Sequence, residues 1–129
     1  MLTVAGLVLA GLAALVHVYI FRMESLTWTS AATRKVFGAS ESEAAATREM
    51  AFNQGFYNLF LAIATALGIV LFAAGQLAVG ATLVFTGAGS MTAAALVLLL
   101  SSPDKRSAAL KQGVIPALGV LSLALGLSL

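Results

Sequence analysis

LTVAGLVLAGLAALVHVYIF, residues 2–21, contains one threonine, one histidine and no charge. A helix rises 1.5 Å per residue and the hydrocarbon core of a bilayer is about 30 Å thick, so a run of this length and character reads as a membrane-crossing helix. A cleaved secretory signal is the competing reading. No basic segment precedes the run and no small-x-small cleavage site follows it directly, so a retained first span is expected.

Three further apolar runs follow, at about 56–74, 77–100 and 110–129. Only Gly75 and Gln76 separate the second from the third, which predicts a tight antiparallel hairpin. Ser40 and Glu43 have the spacing of a capping box, so the second helix is expected to begin near Glu41, with its first turns along the membrane surface. Ser102-Pro103-Asp104 reads as a helix start, with an N-cap, a proline in the first turn and an acid facing the positive end of the dipole. Pro116 falls inside the fourth run, where neighbouring helices can absorb a kink. The expected fold is an all-α, polytopic four-transmembrane-helix bundle forming a single membrane domain over 1–129, with connections at 22–55 and 101–109.

Composition supports lipid as the main solvent. Hydrophobic residues make up 60% of the 129 positions and charged residues 9%, against about a quarter charged in soluble domains. Cysteine is absent and histidine occurs once, which excludes disulfides, thiolate chemistry and a multi-histidine metal site within one chain. No metal and no cofactor are expected. The net charge of +2 makes no nucleic-acid surface, because the seven basic residues are placed for another purpose. Arg22, Arg34, Lys35 and Arg48 belong to the first connection, and Lys105, Arg106 and Lys111 to the last. Both connections lie on one side of a four-span chain. The positive-inside rule makes that side cytoplasmic, puts both termini on the opposite face and fits a multi-pass protein of the cell's inner membrane.

Polar residues concentrate towards the same side. At 100° per residue, His17, Phe21, Glu24 and Trp28 share a helix face, continued outward by Gly6, Ala10 and Ala13. His17 lies about 10 Å deeper than Glu24 by helical rise. An ionisable group in a membrane span is a functional candidate because its charge is costly to bury, although a hydrogen-bonded neutral histidine and a glutamate paired with Arg22 or Arg48 are the structural alternatives. Trp28 fits an interfacial anchor or a ligand platform. Asn53-Gln54-Gly55-Phe56-Tyr57-Asn58 is the densest polar segment; Gln54 and Asn58 are one turn apart, as are Asn53 and Tyr57. Such amides either orient a ligand or hold helices together. Gln112 occupies the same level on the fourth helix. Thr82, Thr86, Ser90 and Ala94 recur every four residues and are expected to form a packing seam.

These segments resemble a family of small bacterial and fungal membrane proteins, domain of unknown function 1304. The similarity rests on His17-Val-Tyr19-Ile-Phe-Arg-Met-Glu24 with Trp28, Arg34-Lys35-Val36-Phe37-Gly38, residues 53–58, and Gln112-Gly113 with Pro116-Ala117. The resemblance implies four helices and supplies no substrate and no residue roles.

The residues support binding or transport of a small amphiphile in a polar pocket of the cytoplasmic half, with His17, Glu24, Trp28, Asn53, Gln54, Tyr57, Asn58 and Gln112 as ligand-binding or proton-coupling candidates. Transport by four spans calls for a homodimer. The alternatives are an enzyme acting on a lipid-soluble substrate through His17 and Glu24 as acid and base, or a scaffold or accessory subunit. No catalytic motif is present to favour the enzyme. The bilayer is the one partner the sequence demands.

Overall fold

The computed structural model describes residues 1–129 and is helical almost throughout. Four helices are long and apolar enough to cross a membrane: α1 (Leu2–Phe21) with a π-helical turn at Arg22–Leu26, α4 (Arg48–Ala73), α5 (Leu77–Ser101) and α6 (Arg106–Ser128), which follows a 3-10 turn at Pro103–Lys105. Two short helices, α2 (Ala31–Phe37) and α3 (Glu41–Ala46), lie in the first connection. The long helices pack in a ring, α1 on α4, α4 on α5, α5 on α6 and α6 back on α1.

Side-chain size decides which faces meet. Lipid tails are as apolar as leucine, so helices associate where small residues let backbones approach. On the α1–α6 contact a Cβ at Gly6 would meet Leu123 backbone at 2.5–2.8 Å, and one at Gly119 would meet Ala10 nitrogen at 3.0 Å. Gly68, Gly80 and Gly87 play the same part between α4 and α5. Larger residues close the spaces between, with Ala10, Val84, Ala88 and Leu123 forming one buried cluster and Ala13, Ala14, Ala62 and Met91 the next.

The expected seam on α5 faces outward instead. Thr82, Thr86, Ser90 and Ala94 are exposed, while Gly80, Val84, Gly87, Met91 and Ala95 are buried. The threonines tolerate an apolar surround because their hydroxyls donate to carbonyls of their own helix, Thr82 to Ala78 and Thr86 to Thr82, each at 2.8 Å.

The α4–α5 hairpin closes at Gly75, whose φ of +87° suits a residue without a Cβ. The Gln76 N–H donates to Leu71 O and the Gly75 N–H to Phe72 O, the paired bonds of a Schellman ending. Gly38, at φ +68°, ends α2 in a related way, with the Ala39 N–H donating to Arg34 O.

The second long helix does not begin at Glu41. Ser40 and Glu43 do form a complete capping box, but on the separate six-residue α3, and Thr47 breaks the helix before α4 starts at Arg48. The Ser40 backbone N–H and hydroxyl hold the Glu43 carboxyl below the usual carboxylate range, with Lys105 adding attraction. A depressed folded-state value means that the cap contributes fully above about pH 4.3 and loses its contribution as pH falls through the lowered value. Protection of the Ser40 amide from hydrogen exchange is therefore expected to fall in that acid range, and Glu43→Gln should flatten the dependence.

Candidate functional site

The first helix buries Gly6, Ala10, Ala13 and His17 on one stripe, but 3.6-residue geometry stops at Phe21. The π turn at 22–26 carries one more residue per hydrogen-bonded turn, so the stripe does not continue to Trp28 as a regular helix face would. It directs Glu24 and Ser25 onto α4 instead. The Ser25 hydroxyl donates to Phe52 O at 2.8 Å, and Asn58 Nδ2 donates to Glu24 Oε2 at 2.8 Å and to Gln54 O at 3.2 Å. Gly55 makes this approach feasible: a Cβ there would collide with the Ser25 hydroxyl and come within 3.1 Å of Glu24 Cβ. Phe21 packs edge-on against Phe56, with centroids 5.1 Å apart, one turn above.

Glu24 has no cation partner. The ion pairs of the chain join Arg34 to Glu41 and Lys105 to Asp104, both at 3.9 Å, rather than Glu24 to Arg22 or Arg48. The amide of Asn58 therefore carries the whole polar contact of that carboxyl with α4.

The other sequence candidates are dispersed. His17 is buried, and its Nδ1–H donates to Ala13 O at 2.9 Å, which leaves Nε2 with the lone pair in the neutral ring. Asn53 and Gln54 are exposed, and Asn53 Nδ2 donates to Glu49 O of its own helix at 3.0 Å. Tyr57 is 64% exposed on the outer face of α4. Trp28 sits in the connection, edge-on to Phe37 at 5.0 Å, and its Nε1–H donates to Thr47 Oγ1 at 3.2 Å. Thus Glu24 and Asn58 are brought together, while Asn53 and Tyr57 are exposed on other faces of α4 and Gln54, also exposed, contributes only its backbone carbonyl.

An open groove lies elsewhere at the same end of the bundle. Its volume of about 580 Å³ is enclosed by α1, α2 and the start of α6. Val16, Tyr19 and Ile20 of α1 and Met23 of the π turn form its apolar floor, completed by Val36 and Phe37 of α2 and Ala108 of α6. Lys35, Lys105, Lys111, Asp104, Ser107 and Gln112 supply its polar lining. Lys105 Nζ also donates to Phe37 O at 3.2 Å, tying the 3-10 turn before α6 to the C-terminus of α2 across the groove. A smaller lobe of about 160 Å³ shares Tyr19, Met23 and Val36 and adds Arg22. Among the candidates read from sequence, Gln112 lines the groove; His17 and Glu24 do not.

The groove residues are legible in part. Val16, Tyr19, Ile20 and Met23 stand at i, i+3, i+4 and i+7, one face of a helix beside the His17 stripe. The lysines read in sequence as signals of membrane orientation, and nothing in their spacing reveals that α2 folds back to bring Lys35 towards Lys105 and Lys111.

The sequence profile of a family described as "Protein of unknown function (DUF1304)" matches residues 11–124. No curated protein and no solved structure matches the chain.

Proposed function

The chain belongs to the DUF1304 family of proteins of unknown function, and from that premise we propose that it is a multi-pass membrane protein that binds a small amphiphile in the groove between α1, α2 and α6. The observation that carries this reading is the groove's division into an apolar floor and a polar lining with a net positive charge. Its volume of about 580 Å³ falls within the range of about 300–1,000 Å³ usual for small-molecule sites. The floor follows α1 into the hydrocarbon, whereas the polar lining lies where the apolar spans end. An amphiphile has the same division. The positive-inside rule puts this end at the cytoplasmic face of the cell membrane.

In this reading Glu24 and Asn58 fasten α1 to α4 and so fix one wall of the site, while Gln112 contacts the ligand. Transport in place of binding would add a second conformation open to the other side, assembled from two copies of the chain.

Ala108 lines the groove and carries only a methyl group, so Ala108→Phe fills the space without touching the Glu24–Asn58 bond. Energy transfer from Trp28 to a dansyl-labelled single-chain fatty acid measures occupancy, since Trp28 is the sole tryptophan and stacks on Phe37 of the groove wall. Saturable transfer is expected, with affinity reduced at least tenfold by Ala108→Phe and unchanged by Ala94→Phe on the outer face of α5. Unsaturable transfer, or equal affinity in all three proteins, overturns the reading.

A further inference from the structure

We infer that the occupant of the groove is an anionic phospholipid of the surrounding leaflet, its phosphate held by Lys35, Lys105 and Lys111 and the upper part of one acyl chain laid along Val16, Ile20 and Met23. This rests on the amphiphile-binding reading and adds the sign of the headgroup and the source of the ligand.

Charge decides the headgroup. Three lysines line the groove with one acid, Asp104, which lies 3.9 Å from Lys105 Nζ; Glu43, outside the lining, attracts the same lysine, so Lys35 and Lys111 keep their charge unpaired. Arg22, in the adjoining lobe, is a fourth cation. A cationic or zwitterionic headgroup would place its ammonium among like charges, whereas a phosphodiester meets an excess of donors. Lysine ammonium groups are compact charges with three rotatable donors, suited to phosphate without a fixed bidentate geometry. Basic pockets between membrane helices at a membrane surface recognise acidic headgroups for this reason.

Position decides the source. Arg22 directly follows the apolar run of α1, and Lys111 stands near the start of the apolar part of α6, so the cations lie at the level where headgroups lie. Val16, Ile20 and Met23 run from that level down the membrane-crossing helix, so a lipid can enter sideways with its chain still in hydrocarbon. A volume of about 580 Å³ accommodates a headgroup and part of one chain, leaving the second chain in the bilayer. A water-soluble phosphate compound would leave the apolar floor uncovered.

A reporter stands behind the groove wall, against Phe37. Trp28 stacks edge-on against Phe37 at 5.0 Å, and no other tryptophan competes with its emission. The full chain is reconstituted in phosphatidylcholine vesicles containing a small fraction of lipid brominated on the upper acyl chain, either phosphatidylglycerol or phosphatidylcholine. Bromine quenches tryptophan only at short range. Brominated phosphatidylglycerol is expected to quench Trp28 at several-fold lower mole fraction than brominated phosphatidylcholine. The triple variant Lys35→Gln, Lys105→Gln, Lys111→Gln should bring the two curves together, and the single Lys111→Gln, which leaves the Lys105–Phe37 tie intact, should move them part of the way.

Equal quenching by both lipids in the wild-type chain overturns the anionic assignment while leaving amphiphile binding in place. Quenching that never exceeds the random bilayer level for either lipid overturns both. Abolition of the preference by millimolar inorganic phosphate at constant ionic strength identifies a free anion as the ligand and overturns the lipid source. A preference that survives the triple substitution overturns the role of the lysines.

Discussion

Gly80→Ala is expected to destabilise the bundle by about 2 kcal/mol, although alanine is intrinsically the better helix former by up to about 1 kcal/mol. A methyl group at Gly80 would collide with the backbone nitrogen of Phe72 and lie 2.6 Å from its Cα. Those atoms belong to a hydrogen-bonded helix and cannot swing aside as a side-chain end can. The helices α4 and α5 must separate, and every neighbouring contact along Gly68, Val84 and Gly87 then loosens. A methyl group at Gly89, on the same helix, would meet nothing within 4 Å, so Gly89→Ala isolates the propensity term and should be neutral or slightly stabilising. Thermal unfolding in one detergent, followed by circular dichroism, compares the two. Equal behaviour would remove the close backbone approach as the basis of the α4–α5 contact.

Asn58→Leu is expected to cost about 2 kcal/mol, and the double variant Glu24→Leu, Asn58→Leu to recover most of that loss. The intact bond contributes only about 1 kcal/mol, as interhelical hydrogen bonds in membranes do. Removing its donor leaves a carboxyl group in a half-buried position with no cation within ion-pair distance, and that unsatisfied group dominates the cost. Replacing both partners by leucine removes the orphan. A double-mutant cycle in the same unfolding assay reads the coupling directly. A double variant as unstable as the sum of the singles would mean that the pair is not energetically joined. Ala108→Phe leaves this pair untouched, so the stability of the wall and the occupancy of the groove are separable.

The presence of four membrane-length helices was legible because length and hydropathy alone determine it. The hairpin at Gly75 and the capping box at Ser40 were legible because each rests on local backbone chemistry. The packing faces were harder. In lipid both faces of a helix are apolar, so there is no alternation of polar and apolar residues to read, and contact is decided by size. On α5 small residues recur at two offsets, Gly80, Gly87 and Ala95 on one face and Thr82, Thr86, Ser90 and Ala94 on another. Spacing cannot choose between them, and the structure takes the glycine face.

The candidate site was obscured for a different reason. Extrapolating α1 at 100° per residue treats Glu24 and Trp28 as one face with His17, and the π turn at Arg22–Leu26 cancels that extrapolation. It changes the meaning of the asparagine-glutamine-glycine segment. Gly55 provides clearance for the turn and Asn58 receives its glutamate, while Asn53 and Gln54 remain outside. The groove depends on α2 folding back over α1, held by Trp28 on Phe37 and Thr47 and by Lys105 on the end of α2. The two hydrogen bonds join residues 19 and 68 positions apart.

The ring of helices also constrains the order of assembly. The α1–α6 contact includes a hydrogen bond from Thr3 Oγ1 to Gly126 O, between residues 123 positions apart. Of the four long helices α1 is synthesised first and α4 follows it, but the glycine-lined flank of α1 has no partner until α6 is made. The hairpin of α4 and α5 has no such delay. Of the four long helices α6 is the last to be synthesised, and the groove, which needs the start of α6 as a wall, cannot form before it.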